Sequence, residues 1–314
     1  MKKTAFLFPG QGAQSIGMGE EFYKEYDSVR ELFDMAEEIT KINISKLCFK
    51  GPMEKLTQTV NLQPALTAVN LACLYVINKE GIKPDFSAGH SLGEYSALCS
   101  SGIVSKEDSI RLVYKRGELM HREALKNKGA MAAIIGLSID DLSEIVETVK
   151  QEGIVAVANH NTENQIVITG FPDQVNKVAA IAADRGARAI PLKVSGAWHS
   201  ELIKGAEQEF GDFLGTVKFN KPSSAMLFNV SADFAFVPDK IISIMSRQLC
   251  CPVRWYDIIV KLLEEKVETF VEIGPNRVLS GLLKKILHKG HSCKIYNVNN
   301  LKTFDRFFNE ISIE

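Results

Sequence analysis

Asp85-Phe86-Ser87-Ala88-Gly89-His90-Ser91-Leu92-Gly93 is a short β-like run, residues 85–88, that breaks into the pentapeptide G-x-S-x-G. A stretch of helical character follows over residues 92–99 and is stopped by Gly102. Strand, sharp turn and helix, with a serine at the turn, is the nucleophile-elbow pattern. A hydroxyl thrust out of so tight a turn needs bare backbone on either side, where a Cβ would clash, and Gly89 and Gly93 supply it. The backbone N–H after the serine then faces the position of a substrate carbonyl, as half of an oxyanion hole. The pentapeptide alone is weak: with Gly and Ser each near ~7% of an average sequence, about one chain in ten of this length carries it by chance. Its flanks and the rest of the chain have to support it.

The composition is that of an ordinary globular protein: 314 residues, 46% apolar and 24% charged, with ample material for one large domain or two. A net charge of −1 argues against nucleic acid or an anionic membrane as the main partner. The cysteines, Cys48, Cys73, Cys99, Cys250, Cys251 and Cys293, show no C-x-x-C spacing. They read as reduced residues of a cytosolic protein, not as a disulfide framework or zinc site. The apolar run after Lys2-Lys3 is too short for a signal segment. Residues 64–77, with Asn70 among them, are too few to span a bilayer. A cytoplasmic protein is expected, and nothing argues against a monomer.

Residues 4–8 form a continuous apolar run, as suits a buried strand, which breaks at Pro9-Gly10-Gln11-Gly12. This loop is not a dinucleotide fingerprint, because a third glycine would fall at Ser15, and not a P-loop, because no Lys-Ser/Thr follows Gly17. It reads as a strand-to-helix turn that brings backbone N–H groups close to whatever sits above the sheet. Residues 20–40 are polar, with Phe22, Tyr26, Val29, Phe33 and Ala36 at helical spacing. Pro64 opens a further helix, running to about Asn78 and ended by Gly81. Ser105-x-x-Asp108, a capping-box variant, opens another, over residues 105–125. On it Arg111, Lys115, Glu118 and Arg122 form a solvated stripe, whereas Arg116 falls on the apolar row of Leu112, Leu119 and Met120. An arginine there either snorkels or is held toward a site, where a guanidinium matches a carboxylate in bidentate fashion.

Residues 129–193 have a different rhythm. Strands are expected at 130–135, 154–158, 165–169 and 188–192, helices at 140–149 and 172–185, and a turn rich in asparagine at Asn159, Asn161 and Asn164. That order, β-α-β-β-α-β, is the ferredoxin-like split unit. It predicts a small domain, residues 128–194, inserted into a larger one made of 1–127 and 195–314. Val194-Ser195-Gly196-Ala197-Trp198-His199-Ser200 then leads as a loop into a helix from Glu201. Strands follow at 225–230, 270–273 and 294–298, with Arg247-Gln248-Leu249 between the first two and a helix at 278–287.

A nucleophilic serine needs a base. His90 adjoins Ser91, but neighbours on a turn point apart, and His121, His288 and His291 lie in polar segments. His160 and His199 are both in expected loops. His199 leads, because its loop joins the inserted domain back to the sheet, where a cleft is expected. No acid stands out as a third triad member. A dyad is therefore expected, its imidazole oriented by a backbone carbonyl.

Phe8-Pro9-Gly10-Gln11-Gly12, Gly89-His90-Ser91-Leu92-Gly93-Glu94-Tyr95, Arg116-Gly117, Gly129-Ala130-Met131-Ala132-Ala133-Ile134 and Glu272-Ile273-Gly274-Pro275 together resemble the malonyl-CoA:acyl carrier protein transacylases, in order and spacing, along nearly the whole chain. The resemblance implies an α/β-hydrolase-like large domain with a ferredoxin-like (βαββαβ) insert. It implies Ser91 as nucleophile, His199 as base, and the N–H groups of Gln11 and Leu92 as the oxyanion hole. It further implies that Arg116 pairs with the malonyl carboxylate and that Gln248 offers its main-chain carbonyl to His199, while Asn159 and Asn161 fall in a region lining the coenzyme A cleft. The substrates would be malonyl-CoA and phosphopantetheinylated acyl carrier protein, with no bound cofactor or metal, in fatty acid biosynthesis.

Gly196-Ala197-Trp198 departs from the short patterns associated with malonyl or methylmalonyl selection in polyketide synthase acyltransferase domains. An indole beside the site should narrow the pocket and suit a small acyl group. A freestanding acyltransferase of polyketide synthesis and the malonyl transferase of a malonate decarboxylase share these motifs. A serine esterase or thioesterase would need a hidden Asp or Glu, and a non-catalytic carrier-binding subunit would need neither Ser91 nor His199. For an acidic carrier protein, Arg277, Lys284, Lys285 and Lys289, or else Arg111, Lys115 and Arg122, are the candidate basic rims.

Overall fold

The computed structural model describes residues 3–287 and 292–311. In chain order its strands are β1 (Lys3–Phe8), β2 (Phe86–Gly89), β3 (Ala130–Ile135), β4 (Val155–Thr162), β5 (Gln165–Gly170), β6 (Arg188–Pro191), β7 (Ala225–Met226), β8 (Val267–Ile273) and β9 (Lys294–Val298). Five of them form a parallel sheet of order β7-β2-β1-β8-β9. Phe6 and Phe8 point from β1 into one core, and Ala5 and Leu7 into another. The unbroken apolar run of this strand therefore reflects helices on both faces of a parallel sheet. The helices Thr59–Lys79, Gly93–Ser100 and Lys106–Lys126 supply the first core, and Trp255–Glu264 and Val278–Ile286 the second. Phe8 pairs in register with Gly89, so the loop after β1 and the turn after β2 leave adjacent strand ends. That carboxyl edge is where open α/β sheets bind ligands.

The other four strands form an antiparallel sheet of order β4-β5-β3-β6, the βαββαβ arrangement expected from the sequence. Ala132 and Ile134 of β3 face the helices Ile139–Lys150 and Pro172–Asp184, while the alternate residues Met131 and Ala133 join the first core of the large sheet. The chain enters and leaves this sheet along one seam: a Cβ on Gly129 would fall 2.4 Å from the Cβ of Ala197.

Several expected boundaries move, each for a visible reason. Residues 20–40 are two helices, Glu20–Glu25 and Asp27–Thr40, split at an extended Tyr26. Arg30 Nη1 donates to the Tyr23 and Lys24 carbonyls at the split (2.8 and 2.9 Å). The helix expected from Pro64 starts at Thr59. Pro64 forgoes one backbone bond inside it, and packing holds the turn ahead of it: a Cβ on Gly117 would stand 3.1 Å from the Thr59 carbonyl oxygen. This helix is long and apolar enough to cross a membrane, but it is buried within the fold over most of its length, so its apolarity serves the core.

Asn159, His160 and Asn161 lie on β4 and not in a loop. The strand is prolonged because Val253 pairs with it, His160 donating its N–H to the Val253 carbonyl (2.9 Å) and Val253 its own to Ala158 (2.8 Å). The strand expected at 225–230 pairs only at Ala225–Met226. From Leu227 the chain folds back to bridge Phe234, and the fold-back delivers Asn229 to the end of β2. All six cysteines are free. His288, Lys289 and His291 lie outside the described residues.

Candidate active site

Ser91 has a left-handed backbone, φ +50°. Three glycines make room for it. A Cβ on Gly93 would fall 2.0 Å from the Phe8 carbonyl oxygen, one on Gly89 2.0 Å from the Gly93 carbonyl carbon, and one on Gly10 2.3 Å from the His90 carbonyl oxygen. Asn229 clamps the turn: its Oδ1 accepts the Ser91 N–H and its Nδ2 donates to the Gly89 carbonyl, both at 2.7 Å. With the Ser91 amide so engaged, the amides of Gln11 and Leu92 donate to no acceptor among the described residues, and both residues line the cavity over Ser91.

His199 Nε2 lies 2.8 Å from Ser91 Oγ. Its Nδ1 lies 3.0 Å from two main-chain oxygens, those of Gln248 and Cys251. Carbonyls only accept, so Nδ1 carries the proton and Nε2 is left to accept from the serine hydroxyl. Two carbonyls thus stand where a triad has a carboxylate. Burial, then the positive charge of Arg116 and the neighbouring His90, push the imidazole down to about 3, so it is neutral near pH 7.

Arg116 is buried, 1% exposed. It reaches this position because Gly117 lets its helix press onto the first turn of Thr59–Lys79, the turn that carries Gln63. Nη1 donates to Gln63 Oε1 (3.0 Å), Nε to Gln248 Oε1 (3.1 Å) and Nη2 to Ser91 Oγ (3.2 Å), with the Tyr95 ring alongside. Burial lowers its pKa, opposed by Tyr95 and Glu94. Among the described residues no carboxylate comes within ion-pair distance. Its direct partners are neutral, and Glu94 reaches it only through Gln248, so the guanidinium remains open to pair directly with an anion from outside.

The cavity above these groups is small, about 110 Å³. Its polar side comprises Gln11, Ser91, Arg116, Asn159 and His199, and its wall Met120, Met131, Leu192, Val194 and Trp198. Asn161, expected in the same region, does not line this cavity; its Oδ1 lies 2.7 Å from His90 Nε2, which donates to it. The Trp198 indole folds over Gly196, where a Cβ would stand 2.7 Å from the ring.

Three groups of this site lie outside every motif singled out in the sequence, Gln63, Asn229 and the carbonyl of Cys251, and a fourth, Glu94, lies within the serine motif without a role assigned there. Glu94 leaves a signal, the one charge in the helix Gly93–Ser100, and it is fully buried. Asn229 leaves a fainter one, a lone amide in an apolar run. Of the two basic clusters, Lys115 and Arg122 are engaged by Glu209 (2.6 and 2.5 Å) and Arg111 faces Asp108 (3.8 Å). Arg277 and Lys284 instead line a small surface cavity with Arg306, and Lys285 reaches Gln165 on β5 (3.0 Å).

Residues 5–309 match the family described as acyl transferase domain. The chain is 45% identical to the malonyl CoA-acyl carrier protein transacylase of Bacillus subtilis over 288 residues, 91% of each chain. Among solved structures it superposes on the malonyl CoA-acyl carrier protein transacylase of Clostridium perfringens with a TM-score of 0.93 and 37% identity, covering 99% of this chain and 97% of that one. A malonyl-transacylase solved in complex with its type II PKS acyl-carrier protein gives a TM-score of 0.93 at 34% identity, covering 98% of this chain and 99% of that one.

Proposed function

The chain belongs to the acyl transferase family of malonyl CoA-acyl carrier protein transacylases, and from that membership we propose that it moves a malonyl group from malonyl-CoA to the phosphopantetheine thiol of acyl carrier protein, for fatty acid biosynthesis in the cytoplasm. The observation that carries the reading is the buried, carboxylate-free Arg116 beside Ser91 Oγ. It supplies the countercharge that a carboxylated acyl group needs. The catalytic unit is residues 1–127 with 195–314, and the inserted unit is 128–194.

His199 Nε2 takes the Ser91 proton as Oγ attacks the thioester carbonyl. The carbonyl oxygen, now negative, meets the amides of Gln11 and Leu92, donors typically worth roughly 3 kcal/mol each. The C–S bond breaks, the proton on His199 passes to the coenzyme A sulfur, and a malonyl-serine ester remains. The phosphopantetheine thiol then gives His199 its proton and attacks the ester, and Ser91 leaves with that proton. Arg116 holds the malonyl carboxylate in both halves, Gln248 and Cys251 keep the imidazole in its working tautomer, and Asn159 lies along the coenzyme A path. A histidine backed by carbonyls suits transfer over hydrolysis, because a less basic imidazole activates water poorly against the ester.

Intact mass after brief exposure to malonyl-CoA tests this. One malonyl adduct, absent in Ser91→Ala and discharged by holo acyl carrier protein, is expected. Release of coenzyme A without an adduct would mean a hydrolase.

A further inference from the structure

Glu94 is a fully buried carboxylate that the mechanism above does not use. Its Oε1 accepts the main-chain N–H of Asn229 (2.7 Å) and its Oε2 accepts Gln248 Nε2 (2.9 Å). Each partner leads to the reacting groups. Asn229 Oδ1 holds the Ser91 amide. Gln248 Nε2 also donates to the Ser91 carbonyl (2.9 Å), and its Oε1 accepts Arg116 Nε.

An ionised carboxylate only accepts, so it dictates how the Gln248 amide lies: NH₂ toward Glu94, oxygen toward Arg116. A neutral amide of the same shape at position 94 has one oxygen and one NH₂ for two incoming donors. Its NH₂ must then face either the Asn229 N–H or the Gln248 NH₂. If Gln248 turns over to relieve the second clash, its own NH₂ faces Arg116 Nε. The donor conflict therefore lands on the serine turn or on the arginine whichever way the amides lie.

We propose that Glu94 is a positioning residue that fixes Arg116 and Ser91 relative to one another, through the Gln248 side chain and the Asn229 backbone, and thereby sets the preference for a carboxylated acyl group. This rests on the malonyl reading above. Burial pushes Glu94 up to about 7, against the hydrogen bonds from Asn229 and Gln248 and the charge of Arg116. The titratable groups facing it are Arg116 from the neighbouring helix and Tyr95 from its own.

The test is the rate of Ser91 acylation by malonyl-CoA and by acetyl-CoA, read by intact mass at pH 8 in the full chain. Glu94→Gln is expected to cut the malonyl-over-acetyl preference by about tenfold or more. In wild type the preference is expected to fall as pH drops from 8 to 6, because a protonated Glu94 brings a donor of its own into the same conflict, and to stay flat over that range in Glu94→Gln. A purely structural role predicts a loss of folded protein with the preference unmoved. Unchanged preference in a folded Glu94→Gln, or the same pH dependence in wild type and Glu94→Gln, overturns the proposal. If Glu94→Gln does not fold, Gln248→Leu cuts the same link from its other end, and unchanged preference there overturns it equally. Wild type that takes no malonyl group would instead bring down the reading on which the proposal rests.

Discussion

Arg116 Nη2 stands 3.2 Å from Ser91 Oγ, while His199 Nε2 stands 2.8 Å from the same oxygen. The nucleophile is thus held by a base and a cation together. An acyl group bound to Ser91 would carry its distal end toward the guanidinium only if that end is anionic and close to the carbonyl.

Arg116→Ala should therefore lower malonyl loading much more than acetyl loading, on the order of 100-fold in kcat/KM for malonyl-CoA, the worth of a lost charge-assisted pair. Arg116→Lys should recover little, because one ammonium cannot serve Gln63, Gln248 and a carboxylate at once. Competitive loading from a mixture of the two thioesters, read by mass, gives the ratio directly. A ratio unchanged in Arg116→Ala would remove the basis of the substrate assignment.

Two glycine substitutions should move stability in opposite directions. Gly93→Ala puts a methyl 2.0 Å from the Phe8 carbonyl oxygen, and the other atoms it meets are also backbone, with no room to yield. A loss on the order of 3 kcal/mol or more is expected. Gly281 sits exposed inside the helix Val278–Ile286 with no atom within 4 Å of its missing Cβ. Gly281→Ala should gain about 0.5–1 kcal/mol from helix propensity and the smaller entropy of the unfolded chain. Urea titrations of both variants check the signs.

That contrast also marks what can be read from the sequence. The elbow is legible because its glycines answer a local steric need, and the inserted unit because its strands and helices keep their own periodicities. Arg116 stands out as a charge on an apolar row. What stays hidden depends on contacts far apart in the chain. Asn229 reaches Ser91 from 138 residues away, after a fold-back that no local pattern announces. Gln63 meets Arg116 on a helical turn ahead of a proline, where local propensity argues for a helix start instead. The prolongation of β4 through Asn161 is imposed by Val253, so the asparagines read locally as a turn.

The pH dependence of stability should carry two opposed slopes. His199 sits near 3 in the fold against a usual 6.5, so the unfolded chain binds the extra proton between those values and stability falls as pH drops through them. Glu94 sits near 7 against a usual 4.5, so its contribution is complete below 4.5 and is lost as pH rises toward 7. Relative to wild type, His199→Asn should gain in Tm as pH falls below 6.5, and Glu94→Gln should gain as pH rises from 4.5 to 7. Melting scans from pH 4 to 8 on the three proteins separate the slopes. Parallel curves for wild type and His199→Asn would mean the imidazole titrates normally in the fold.

An acidic carrier protein is expected to land beside Lys284 and Lys285. The helix Val278–Ile286 packs against β4, whose Asn159 lines the cavity at Ser91, and it carries Lys284 and Lys285, both exposed. Arg277 and Arg306 stand beside Lys284. The rival cluster is already partnered, since Glu209 engages Lys115 and Arg122. Reversing Lys284 and Lys285 to glutamate should raise KM for the carrier about tenfold, at roughly 1 kcal/mol or less for each rim charge, and weaken its dependence on salt. Acylation of Ser91 by malonyl-CoA should stay within about twofold (~0.4 kcal/mol), because neither lysine lines the cavity. Arg111→Glu should leave both half-reactions alone. If it raises the carrier KM and the lysine pair does not, the docking face lies on the helix Lys106–Lys126 and the partnered charges there are being re-paired on binding.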